Sequence, residues 1–204
     1  VRDDGTFDRA SERTLFELHQ PRRTHNGGTI RFLPDGRLGL ALGDGGYQEG
    51  HRPNAQDPDS AYGALVAFDV DSSVDPPPME VLAIGFRNPW KWSVDPPTGE
   101  IWLGDVGLRS FEEINRVVPG ANYGWPRHEG TLVTEAAAFC ETCGPYVPPV
   151  GFYARQTGRA VVAGHVYRGA DLPGLSGWFV FSDMDSGKLM GLEVDAPALT
   201  VPRE

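Results

Sequence analysis

His25 and Arg87 are the side chains whose chemistry and placement together suggest a reaction. His25 lies in Thr24-His25-Asn26-Gly27-Gly28 and Arg87 in Gly85-Phe86-Arg87-Asn88-Pro89. The two segments hold the same place in two copies of one repeated stretch, each just ahead of a strand-like run. In a third copy that place reads Arg159-Ala160-Val161-Val162. An imidazole exchanges protons near neutral pH and suits a general base, while a guanidinium stabilises a developing oxyanion or an anionic cofactor. Each residue also has an ordinary structural use, His25 as a turn hydrogen-bonder and Arg87 as a tie for the Asn-Pro turn that follows it.

A third element pairs carboxylates with glycine turns. Gly104-Asp105-Val106-Gly107-Leu108 leads into Glu112-Glu113-Ile114-Asn115 and then Gly120-Ala121-Asn122-Tyr123-Gly124-Trp125-Pro126. Hard cations such as calcium take carboxylate oxygens together with main-chain carbonyls, and this stretch offers both. On spacing alone, Glu112 and Glu113 alternate faces along a strand, which leaves one of them in solvent.

These residues need a frame, and the frame is a repeat. GGTIRFLPDGRLGLALGDGG (27–46), NPWKWSVDPPTGEIWLGDVG (88–107) and AGHVYRGADLPGLSGWFVFSDMDSG (163–187) share one order: a strand, a turn, then a strand ending in Gly-Asp or Ser-Asp. Further strand-like runs follow at 63–71, 112–119 and 187–195, and others precede at 13–21, 79–85 and 147–153. Runs of β-formers bounded by Gly, Pro and Asp are strands, and four per unit make one blade of a β-propeller. The expected fold is therefore all-β, a propeller of about three to four four-stranded antiparallel blades in one domain. The units fall at about 13–71, 79–119 and 147–195. No stretch carries a capped helical period. Three units do not close a ring, so the chain is expected to be part of a longer propeller, with N- and C-terminal blades supplied by the same parent; a second chain is the alternative. In such a ring the loop entering each innermost strand opens on the central channel, which aims His25 and Arg87 at one space.

Composition narrows the partners. The 204 residues carry 18 Lys and Arg against 28 Asp and Glu, a formal net charge of -10. That disfavours nucleic acid and acidic membranes, whose phosphates need clustered cations. No run approaches the roughly 18 apolar residues of a membrane span. Cys140 and Cys143 form CETC without a second cysteine pair to complete a zinc site. The pair reads as a local structural disulfide of an exported protein, with free thiols or a redox pair as the alternatives.

Taken in order, HNGGTIRFLPDGRLGLALGDGG, IGFRNPWKWSVDPPTGEIWLGDVG, EEINRVVPGANYGWP and GHVYRG resemble the glucose/sorbosone dehydrogenase family, over nearly the whole chain. The resemblance implies a six-bladed propeller that oxidises aldose-type sugars outside the cytoplasm, in the periplasm or extracellularly. Pyrroloquinoline quinone (PQQ) and calcium are the implied cofactors, a small-molecule sugar the substrate, and an external electron acceptor the redox partner. It implies that His25 is the proton acceptor, that Arg87 and Asn88 contact the cofactor, and that Arg87 also faces the reacting carbonyl. Gly107 and Leu108 correspond to a calcium-holding turn, Glu113 and Tyr123 to a further calcium site, and Gln48 and Glu49 to a substrate-facing segment. Against the family pattern the 204 residues lack the early blade and the closing, Arg-bearing blade. Asp185 stands near an expected Lys, Ala64 replaces another, and Thr24 replaces an acid found beside the base in some members. The alternative to an enzyme is a catalytically silent extracellular propeller that acts as a binding module.

Overall fold

A computed structural model describes residues 4–46, 54–135, 137, 143–195, 197 and 200–204. It is built of antiparallel sheets, with short 3-10 turns and no α-helix among the described residues. The first sheet runs β1 (Thr29–Phe32), β2 (Leu38–Leu42), β3 (Ala64–Phe68), β4 (Met79–Ala83), paired in chain order. The second contains β5 (Pro89–Val94), β6 (Ile101–Asp105), β7 (Phe111–Val117) and, at its outer edge, β10 (Gly151–Ala154). Between β7 and β10 the chain leaves the sheet and forms a small hairpin, β8 (His128–Glu129) and β9 (Leu132–Val133). The third sheet has three strands, β11 (Val161–Val166), β12 (Trp178–Asp183) and β13 (Leu189–Glu193).

Strand pairing redraws the repeat borders. The runs at 79–85 and 147–153 were expected to open the second and third units. Instead β4 pairs with β3 and β10 with β7, as the outer strands of the first and second sheets. The segment 13–21 forms no strand; it lays Phe16 and Leu18 on the first sheet, with the Phe16 and Phe68 rings 5.3 Å apart. An apolar run bounded by turns marks a strand's existence, whereas its partner is chosen by backbone hydrogen bonds the run does not encode. Beyond β13, Arg203 bridges to Gly191 of the third sheet, and Thr200 to Gly151 of the second.

The sheets stack face to face. Ala41, Leu65, Leu82, Trp92, Leu103 and Val117 fill the space between the first and second. Trp102, Ile114, Tyr153, Phe179, Phe181 and Met190 fill that between the second and third, with Trp102 stacked on Phe179 at 5.0 Å. At the rim, Arg168 grips the carboxylate of Asp95 with two hydrogen bonds, 3.1 and 2.7 Å, and so ties the third sheet to the β5–β6 turn. That pairing, with a hydrogen bond from Thr98, holds the Asp95 carboxyl below the usual carboxylate range. Ile30 and Phe32 of the innermost strand β1 stay exposed.

Trp92 joins the first two sheets through packing and through its indole N–H, which donates to the Thr29 carbonyl at 2.9 Å. Trp92→Ala is expected to destabilise the chain by about 3–5 kcal/mol, read as a lower urea midpoint; a change under about 1 kcal/mol would refute this account of the interface.

Candidate functional site

One feature recurs at the end of each second strand. Asp44 just follows β2, Asp105 ends β6 and Asp183 ends β12, and all three carboxylates are buried. Each receives donors from the loop that enters the innermost strand of its own sheet. Asp183 takes the Ala160 N–H at 2.8 Å and the Tyr153 hydroxyl at 2.9 Å. Asp105 takes the N–H groups of Arg87 and Asn88, at 2.9 and 2.6 Å. Asp44 takes the ring of His25, Nδ1 to Oδ1 at 2.8 Å. The Gly-Asp and Ser-Asp endings of the repeat are thus clamps on the loops.

In the first sheet the clamp acts on a side chain, and this matters chemically. Asp44 also accepts from the Gly46 N–H and from Trp125 Nε1, each at 2.8 Å. A carboxylate only accepts, so in the neutral imidazole the proton sits on Nδ1 and the lone pair is left on Nε2. The backbone of His25 is left-handed, φ 58°, a conformation that favours glycine. Gly43 explains how this loop comes beside the Arg87 loop. A Cβ on Gly43 would lie 2.1 Å from the His25 carbonyl oxygen and 3.0 Å from that of Arg87. Asp44 then donates its N–H to the Arg87 carbonyl at 2.9 Å. The structure therefore brings His25 and Arg87 together across one glycine.

Arg87 is 8% exposed. Its Nη1 donates to the carbonyls of Val106 and Gly107, at 2.8 and 2.6 Å, and its guanidinium lies 5.5 Å from the centre of the Trp125 ring. Its Nε is buried with no hydrogen-bond partner among the described residues. Burial pulls the guanidinium below its ordinary pKa, while Asp44, Asp105, Glu129 and Glu112 act the other way. Asn88 is half-buried beside it.

Along β7 the side chains alternate, yet neither glutamate is solvated. Glu112 faces the third sheet, bonded to Arg155 at 2.7 Å and to the Val161 N–H at 3.0 Å. Burial pushes it up to about 8 against those two partners. Glu113 is bonded to the Gly130 N–H at 2.5 Å, and burial with Asp105 and Glu129 nearby pushes it up to about 8. Beside it, Asn115 Oδ1 is buried without a partner among the described residues. Tyr123 directs its hydroxyl elsewhere, donating to the Arg116 carbonyl and accepting from the Val118 N–H, with its ring stacked on Phe86. It can offer a cation its main-chain carbonyl. The Gly107 carbonyl receives Nη1 of both Arg87 (2.6 Å) and Arg155 (3.3 Å). The Leu108 N–H is held by Glu129. No group of three or more His, Cys, Asp or Glu among the described residues is arranged to hold a metal ion. Gln48, Glu49 and Cys140 lie outside the described residues; Cys143 is disulfide-bonded.

Sequence reading missed Asp44, Trp125, Glu129 and Arg155. Asp44 had a signal, the Asp shared by the three strand endings. Trp125 and Glu129 arrive on the excursion between β7 and β10, and nothing in their spacing ties them to His25 or Gly107.

Compared with known proteins, the chain matches the family model "Glucose / Sorbosone dehydrogenase" over residues 3–203. It is 26% identical to the HIPL1 protein of Arabidopsis thaliana, covering 90% of this chain and 32% of that one. It is 35% identical over 111 residues to an aldose sugar dehydrogenase of Escherichia coli, covering 50% and 29%. Its fold follows that of the PQQ-bound aldose sugar dehydrogenase of Streptomyces coelicolor, with TM-score 0.62 and 22% identity over 88% of this chain and 48% of the other. The architecture is thus that of the β-propeller. The chain spans about a third of the length of the curated relatives and about half that of the solved one.

The buried acids make stability depend on pH. Glu113 titrates at its ordinary 4.5 when exposed and at about 8 in the fold. Its contribution is full below about pH 4.5 and is lost as the pH rises through about 8. In calcium-free buffer the Tm is expected to fall between about pH 5 and about pH 9, and to fall less in Glu113→Gln. Equal slopes would show that Glu113 ionises normally.

Proposed function

Since this chain belongs to the glucose/sorbosone dehydrogenase family, we propose that it carries the acid–base half of a PQQ-dependent site for oxidation of an aldose-type sugar. The observation that carries the reading is the part-buried Asp44–His25 pair placed beside Arg87. His25 Nε2 takes the proton of the sugar's C1 hydroxyl while Asp44 holds Nδ1, so the imidazole stays oriented and its positive charge is balanced as it forms. PQQ, when bound, supplies the two-electron acceptor for the hydride that leaves C1, and an external acceptor takes the electrons onward. Arg87 is the residue to hold the cofactor's oxygens. Its unpartnered Nε is a buried donor that an acceptor group would satisfy, and its cation suits an anion. Asn88, on the same turn, is the second contact.

Calcium fits one of its two expected places. Around Glu113, a buried carboxylate without a facing cation and the orphan oxygen of Asn115 are donors that a hard ion takes. At Gly107 the fit fails: its carbonyl already receives two guanidinium N–H groups, and a divalent cation there would meet both positive charges. In this arrangement Arg87 and Arg155 supply the positive charge at that turn. The whole protein's activity is taken to need further propeller blades from its parent chain, which would cover Ile30 and Phe32. Action outside the cytoplasm is supported by the disulfide at Cys143.

Titration of PQQ into the chain, with calcium or chelator, tests the reading through quinone absorbance. Binding is expected, weakened roughly tenfold or more in Arg87→Ala. In the parent protein, His25→Ala should keep cofactor binding and lower sugar oxidation by about 10²–10⁴-fold. Absence of PQQ binding in chain and parent alike would overturn the enzyme in favour of a propeller that only binds partners.

A further inference from the structure

Glu129 makes a concentrated polar contact that neither the repeat nor the proposed chemistry accounts for. One oxygen, Oε1, receives four successive main-chain N–H groups: Leu108 at 2.7 Å, Arg109 at 2.8 Å, Ser110 at 2.9 Å and Phe111 at 3.3 Å. The residue is 4% exposed and comes from β8, outside the three main sheets. Consecutive N–H groups turned inward form a concave nest for negative charge, and here a side chain fills it. Gly107, which opens this turn, has no room for a Cβ: it would lie 1.7 Å from the Phe111 carbonyl oxygen and 2.7 Å from Glu129 Oε1. The neighbour of Glu129, Gly130, gives its N–H to Glu113. The hairpin tip is thus fastened at two points to the turn between β6 and β7 and to β7 itself.

The turn so held presents the carbonyls of Val106 and Gly107, and these are what Arg87 Nη1 rests on. No carboxylate is hydrogen-bonded to the Arg87 guanidinium among the described residues, so those two carbonyls and the Trp125 face set its direction. We propose that Glu129 is a positioning residue: it gathers the N–H groups of residues 108–111, turns the Gly107 carbonyl toward Arg87, and thereby aims the unpartnered Arg87 Nε. The role toward a cofactor rests on the function proposed above; the role toward Arg87 does not.

The test is NMR of the 15N-labelled, cofactor-free chain, as wild type, Glu129→Ala and Glu129→Gln, followed by PQQ titration of each. In Glu129→Ala, amides 108–111 are expected to exchange roughly 10–100-fold faster, and the buried Arg87 Nε–H resonance to shift and lose protection. Gln keeps an accepting oxygen without the charge, so it should restore part of both effects, and PQQ affinity should follow the Arg87 signal. Unchanged exchange at 108–111 in either folded variant would overturn the proposal. So would faster exchange there with an unmoved Arg87 resonance and unchanged PQQ affinity. If Glu129→Ala does not fold, Glu129→Gln decides by the same two signals. Failure of the wild type to bind PQQ would sink the proposed function alone, because exchange and the Arg87 resonance still report on Glu129.

Discussion

The structure depends on a carboxylate buried at the end of the second strand of each sheet. A buried carboxylate is tolerated only where donors surround it, and a loop entering a strand has N–H groups that the ladder does not use. Asp105 and Asp183 meet that need with main-chain N–H groups from residues 87, 88 and 160. The same contact therefore closes each sheet and fixes where its inner strand begins. In the first sheet the donor is an imidazole, and the structural clamp also orients a side chain able to exchange protons.

Charge is distributed unevenly around this clamp. Asp44, Asp105, Glu112, Glu113 and Glu129 are buried on the first two sheets and the excursion, whereas Arg87 is the one buried cation among the described residues. Desolvation and mutual repulsion push Asp105 to about 7 and the two β7 glutamates to about 8. Such an interior resists further negative charge except where Arg87 and Arg155 converge, and it favours a cation beside Glu113. The two demands fall on opposite ends of the β6–β7 turn, which is the segment Glu129 fastens. One hairpin tip thus fastens both the turn whose carbonyls Arg87 rests on and the Glu113 carboxylate.

Much of this was legible from residues. Strand-like runs at 29–32, 38–42, 89–94 and 101–105 were plain because alternating apolar residues between Gly and Asp leave little choice of local structure. The equivalence of the His25 and Arg87 loops followed from the repeat, since equal spacing from equal strands puts residues at equal heights. The borders of the sheets were not legible: Met79–Ala83 reads equally well as the last strand of one unit or the first of the next, and only its pairing with β3 decides. The expected solvated glutamate was likewise not found, because both faces of β7 are covered by neighbouring sheets.

By itself the sequence determined the all-β repeat, the loops that carry His25 and Arg87, and the glycine turns, because these depend on contacts among near neighbours. Tertiary structure alone decided what stands against those residues. Asp44 is 19 positions from His25, Trp125 is 81 from Asp44, and Glu129 is about 20 from the turn it holds. The first recurs in the repeat as Asp105 with Arg87, 18 positions apart, whereas the contacts of Trp125 and Glu129 arise on the excursion, outside the repeat. They exist because two sheets pack face to face and a long excursion folds back over the join, bringing donors to carboxylates that burial would otherwise leave unpaired.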